Sequence, residues 1–84
     1  MIELTNSAGY ILSFDGRVIE NFYNAGNMRI HISHVQNLEV EENKKGQLWI
    51  KIKGHNQVCN LMDIDPENRG LVDEFVSQVN SARS

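Results

Sequence analysis

The sequence predicts an α+β domain that is mostly β, with about seven antiparallel strands in two packed sheets capped by one C-terminal α-helix. Three observations predict it. Apolar and polar residues alternate over the first two thirds of the chain. Turn-forming stretches such as Asp15-Gly16 and Asn43-Lys44-Lys45-Gly46 break that alternation at short intervals. After Asp65-Pro66 the apolar spacing switches to a helical period.

Ile2 and Leu4 share one face of a short opening strand, which leaves through Asn6-Ser7-Ala8-Gly9. Tyr10, Leu12 and Phe14 alternate with Ile11, Ser13 and Asp15, and Asp15-Gly16 is a dipeptide that favours a type I′ hairpin turn. The return strand, Arg17 to Tyr23, carries Val18 and Phe22 on one side and Ile19 and Tyr23 on the other, so neither side is purely polar. Asn24-Ala25-Gly26-Asn27 supplies a turn, and Met28, Ile30 and Ile32 then face inward with Arg29, His31 and Ser33 outward. Beyond His34, Leu38 and Val40 point inward and Glu39 and Glu41 outward. On the partner strand Leu48, Ile50 and Ile52 face in while Trp49, Lys51 and Lys53 face out. Pairing Val40 with Ile50 sets Glu39 against Lys51 and Glu41 against Trp49, which fixes the register chemically. In the last strand, Gln57 to Ile64, the residues Val58, Cys59, Leu61 and Met62 do not alternate, as expected of a strand covered on both faces.

Strands are expected to about residue 64 and a helix over about 66–82. Asp65 is placed to cap the free N-H groups of its first turn, Pro66 suits the first helical position, and Leu71, Val72, Phe75, Val76 and Val79 form the apolar stripe. Eighty-four residues without a repeat or a Pro- or Gly-rich linker read as a single domain, 1–84.

Eight Lys plus Arg against eleven Asp plus Glu leave a net charge of −3, which argues against a protein that neutralises a phosphate backbone, so no nucleic-acid partner is expected. One cysteine, Cys59, cannot close an intrachain disulfide, and the N-terminal Met1-Ile2-Glu3-Leu4-Thr5 has neither a secretory pattern nor a glycine for myristoylation. A cytoplasmic location is the expectation, with any membrane contact peripheral.

About seven antiparallel strands followed by one terminal amphipathic helix is an order that few small folds share. An oligonucleotide-binding barrel or an Sm-like barrel would have five strands and a helix placed internally or first. In this arrangement the chain resembles a pleckstrin-homology-like domain of the minimal kind found in bacterial proteins. The resemblance is carried by Met28-Arg29-Ile30-His31-Ile32-Ser33-His34-Val35, by Leu48-Trp49-Ile50-Lys51-Ile52 and by Leu71-Val72-Asp73-Glu74-Phe75-Val76. It implies a partly open barrel of two near-orthogonal sheets, plugged by the helix, and a role in lipid, peptide or partner binding. Phosphoinositide-binding members place Lys and Arg in the loop between the first two strands. Here that loop is Asn6-Ser7-Ala8-Gly9, so a site of that kind is not expected.

The candidate binding residues are Trp49, Lys51 and Lys53 on one outward face, joined by Arg29 and His31 on another strand. Trp49 reads either as an exposed anchor or as a ring covered by neighbouring chain; Arg29 and His31 read equally as solvated polar positions. His31 and His34 are separated by an odd step, so on an extended strand they point to opposite faces and form no metal pair. Cys59 has no CxxC partner and reads as a small buried apolar residue, and Asp63-Ile64-Asp65-Pro66-Glu67 reads as a helix cap rather than a calcium loop. No catalytic fingerprint occurs, and neither a cofactor nor an enzymatic activity is expected. The expected function is binding of a protein or peptide through an outward sheet face or an unpaired strand edge. The rivals are self-assembly and, further behind, peripheral lipid binding.

Overall fold

Backbone pairing in the computed structural model, which describes residues 1–23 and 26–83, divides the strands into two antiparallel sheets. The first runs β1 (Ile2–Thr5), β2 (Ile11–Phe14), β3 (Val18–Tyr23), β4 (Gly26–His31) in chain order. The second runs β5 (Asn37–Glu42), β6 (Leu48–Lys53), β7 (Val58–Ile64). A 3-10 turn at Pro66–Asn68 leads into α1 (Arg69–Arg83). The seven strands and the terminal helix match the sequence expectation, and no strand pairing among the described residues joins the two sheets into a closed barrel.

The core is assembled from one face of each element. Leu4, Leu12, Phe14 and Ile19 come from the first sheet, Leu48, Ile50, Ile52 and Leu61 from the second, and Val72, Phe75 and Val79 from the helix; all are essentially removed from solvent. The Phe14 and Phe75 rings meet edge to face at 6.4 Å, which ties the helix to the first sheet. Gly54, just past β6, is buried against the first sheet: a Cβ there would lie 3.2 Å from Ile30 Cγ2 and 3.4 Å from the His34 carbonyl oxygen.

The β2–β3 turn differs from the expected type I′. Its two loop residues are Gly16 and Arg17, and only Gly16 has positive φ (102°), the pattern of a type II′ turn. Asp15 stands before the loop, and its Oδ1 accepts the backbone N-H groups of Arg17 and Val18, both at 2.8 Å. Those two bonds hold the Asp15 carboxyl below its ordinary pKa of 3.8. Its contribution to the turn is therefore complete above that pH and is lost as pH falls through the lowered value. Amide exchange at Arg17 and Val18 should accelerate through that acid step, and in Asp15→Asn the step should be absent.

Further expectations are corrected. The strand drawn through Ile32 stops at His31, because the chain turns into a 3-10 segment at Ile32–His34, and Ile32 N donates to the Arg17 carbonyl at 2.7 Å. Val40 pairs with Ile50 as expected, yet it is 40% exposed, because β5 is the outer strand of its sheet. Strand β7 is covered on one face only. Ile50 pairs with Leu61 but Leu48 pairs with Ile64, so three steps on β7 match two on β6, and Asp63 takes φ 56° in the bulge. That slip turns Ile64 inward as well as Leu61, while Val58 and Met62 are exposed by the ordinary alternation that precedes it. In the helix, Asp65 makes no side-chain cap bond. Its carbonyl instead accepts from Asn68 N at 2.9 Å, and Leu71 lies outside the buried stripe. In the expected Asn24-Ala25-Gly26-Asn27 turn, Asn24 and Ala25 lie outside the described residues, and Gly26 already belongs to β4.

The bulge carries a prediction. Asp63→Gly should raise the urea midpoint, by about 0.5 to 1 kcal/mol in stability, because glycine reaches the left-handed region without the steric cost an L side chain meets there.

Candidate binding face

The outward residues of β5, β6 and β7 form three cross-strand rows on one surface. Asn37, Lys53 and Val58 make the first; Glu39, Lys51 and Asn60 the second; Glu41 and Trp49 the third, with Met62 beside them. Strand alternation puts them there, since the residues between them on β6 and β7 fill the core. The first sheet meets this surface at the β7 edge, where Val58 and Asn60 share a cleft with Tyr10, Tyr23 and Met28.

Two depressions mark the face. One, of about 340 Å³, is lined by Asn37, Glu39, Lys51, Lys53, Val58 and Asn60. The other, of about 330 Å³, runs past Trp49 between Glu41, Gln47, Met62 and Asp63. Trp49 is partly buried, with its Nε1 covered and part of the side chain lining the second depression, which is nearer to the reading of a ring covered by neighbouring chain than to that of an exposed anchor. Lys51 Nζ sits 4.1 Å from the ring centroid and 3.8 Å from Glu41 Oε1. Lys51 thus reaches diagonally toward Glu41, although Glu39 is its direct cross-strand neighbour. Trp49 Nε1 is buried without a hydrogen-bond partner, a state that costs about 1 to 3 kcal/mol for a polar group.

Of the five sequence candidates, the structure brings together Trp49, Lys51 and Lys53. Arg29 and His31 lie apart from them, on the outer strand of the other sheet. Arg29 Nε is paired with Glu20 Oε2 at 2.8 Å across the β3–β4 register, and that bond holds the Glu20 carboxyl below its ordinary range. His31 Nδ1 accepts the Ser33 backbone N-H at 3.2 Å and so caps the 3-10 turn. The turn also overturns the expectation that His31 and His34 point apart: with the strand ended, their rings approach edge to face at 6.1 Å, and His34 meets His55 at 5.4 Å. Among the described residues no three His, Cys, Asp or Glu side chains are grouped to hold a metal ion.

Cys59 is fully buried, and desolvation pushes its thiol up to about 11, so it is protonated and a poor nucleophile near neutral pH. Among the described residues no helix is long and apolar enough to cross a membrane. Sequence reasoning missed Val58, Asn60 and Met62 as members of the face, because apolar Val58 and Met62 stand on the outward side and make the strand read as covered on both faces. Comparison of the chain with protein-family models, with curated proteins and with solved structures finds no match.

Proposed function

We propose that this chain is a non-enzymatic binding module of the pleckstrin-homology-like type, and that a protein or peptide partner docks on the outer face of β5, β6 and β7. The observation that carries this reading is an outer sheet face that holds Trp49 together with Val58 (43% exposed) and Met62 (45% exposed). Lys51 opposite Glu39, Lys53 opposite Asn37 and Glu41 opposite Trp49 give the face both signs of charge, which suits a mixed peptide surface better than a polyanion. The same balance disfavours an anionic lipid surface.

Self-association along the free edge of β5 meets a specific obstacle. An antiparallel pair centred on Val40 would set Glu39 of each copy against Glu41 of the other, and like charges directly opposite are destabilising. The expected sedimentation behaviour is that of a monomer.

Photo-cross-linking residues installed at positions 53 and 60 in the native host test the reading. They should capture a common partner that a cross-linker at Glu3, on the other sheet, does not. Equal capture from all three positions would overturn it.

A further inference from the structure

Strand β3 places an amide where its inward pattern calls for an apolar residue. Ile19, Asn21 and Tyr23 share the core-facing side, and Asn21 pairs across the sheet with Leu12 on one side and Met28 on the other. Asn21 is only 7% exposed, and among the described residues its side chain makes one hydrogen bond, from Nδ2 to the Ile11 carbonyl at 3.3 Å. An amide carries two donor hydrogens and an acceptor oxygen, so most of its capacity is unused. Its oxygen is not sealed from solvent, so that unused capacity is open to the cleft that Asn21 borders.

Asn21 borders a cleft of about 340 Å³ whose other walls are Tyr10, Tyr23, Met28, Val58 and Asn60. Two phenol rings, a thioether and an isopropyl group supply the apolar wall, and two amides supply directed polarity. That is the make-up of a small ligand pocket, at the lower end of the usual size. No charged residue lines it, so a charged group entering would lose its hydration without a counter-charge. A flat neutral ring fits the aromatic and sulfur surfaces, and a polar edge on that ring would answer the free amide.

Val58 and Asn60 also wall the larger depression on the outer face, so the two hollows share the β7 edge. We propose that the cleft receives an uncharged aromatic side chain of the partner that lies on that face. This rests on the binding reading given above and adds the anchor chemistry.

The test is an NMR titration of labelled protein with N-acetyl-L-tryptophanamide, and with N-acetyl-L-lysinamide and N-acetyl-L-leucinamide as comparisons. Saturable shifts at Tyr10, Asn21, Tyr23 and Met28 are expected, with a dissociation constant of about 1 mM, the scale for a single-residue probe. The lysine probe should be silent and the leucine probe about tenfold weaker. Val58→Lys, at an exposed rim position, should weaken the tryptophan probe about tenfold or more. Asn21→Leu should do the same while leaving the melting temperature unchanged or higher. No shift up to the solubility limit, an equal response to all three probes, or a lowered melting temperature in Asn21→Leu would overturn the proposal. Trp49→Ala addresses the outer face alone and should leave the probe's affinity unchanged. Lost probe binding with cross-linking from positions 53 and 60 intact counts against the cleft alone. Failed cross-linking with probe binding intact counts against the outer face and against a peptide as the source of the ring.

Discussion

Phe75→Ala should cost about 3 to 5 kcal/mol, the usual range for deleting a fully buried aromatic ring. Phe75 has no exposed surface, lies between Val72 and Val79 on the buried stripe of α1, and holds the Phe14 ring edge to face. Residual contraction is limited there because the helix is fixed at both ends. Arg69 Nη1 bonds Glu42 Oε1 at 2.9 Å near its start, and Arg83 Nη2 bonds the Gln36 carbonyl at 3.1 Å at its end. A domain of this length has roughly 4 to 13 kcal/mol of total stability at the usual value per residue. The loss should therefore lower the melting temperature by roughly 15 to 30 °C, or leave the chain unfolded at room temperature. Urea denaturation followed by circular dichroism measures it, with Phe75→Leu as the milder comparison at about 1 to 1.5 kcal/mol. A loss below about 1 kcal/mol for Phe75→Ala would show that the helix is not what seals the core.

The second large effect concerns binding rather than folding. Trp49→Ala should weaken partner affinity about 30- to 1,000-fold, the range of an aromatic hot spot, while costing only about 1 kcal/mol in stability. The split follows from position: the ring is half-buried on the outer face, outside the core cluster, and its main polar neighbour is the Lys51 ammonium at 4.1 Å. Trp49→Phe separates the two roles. It removes the unpartnered Nε1 while keeping an aromatic face for Lys51, so stability should hold or rise by up to about 1 kcal/mol as binding falls to an intermediate level. A titration of the cross-linked partner, set beside thermal melts of both variants, decides it. A large drop in melting temperature with affinity untouched would make Trp49 a packing residue and remove the binding reading.

The sequence by itself determined those elements whose local chemistry and burial agree. The β5–β6 register, with Val40 on Ile50 and Glu39 on Lys51, follows from alternation and cross-strand charge, and the structure reproduces it pair for pair. The stripe of Val72, Phe75 and Val79 follows from helical spacing, and the side of β6 that faces away from the core was legible for the same reason. Only the tertiary structure decided how far each inward face is covered, and where a period breaks. Val40 has the inward phase yet stands exposed, because coverage depends on what lies across from a strand and not on the strand itself. The β7 bulge at Asp63 shifts the phase by one residue, and no local pattern distinguishes such a slip from a strand buried on both faces. Asn21 reads as an ordinary polar position in the chain. It becomes conspicuous only in the assembled fold, where it is 7% exposed at the wall of a cleft lined by residues of both sheets.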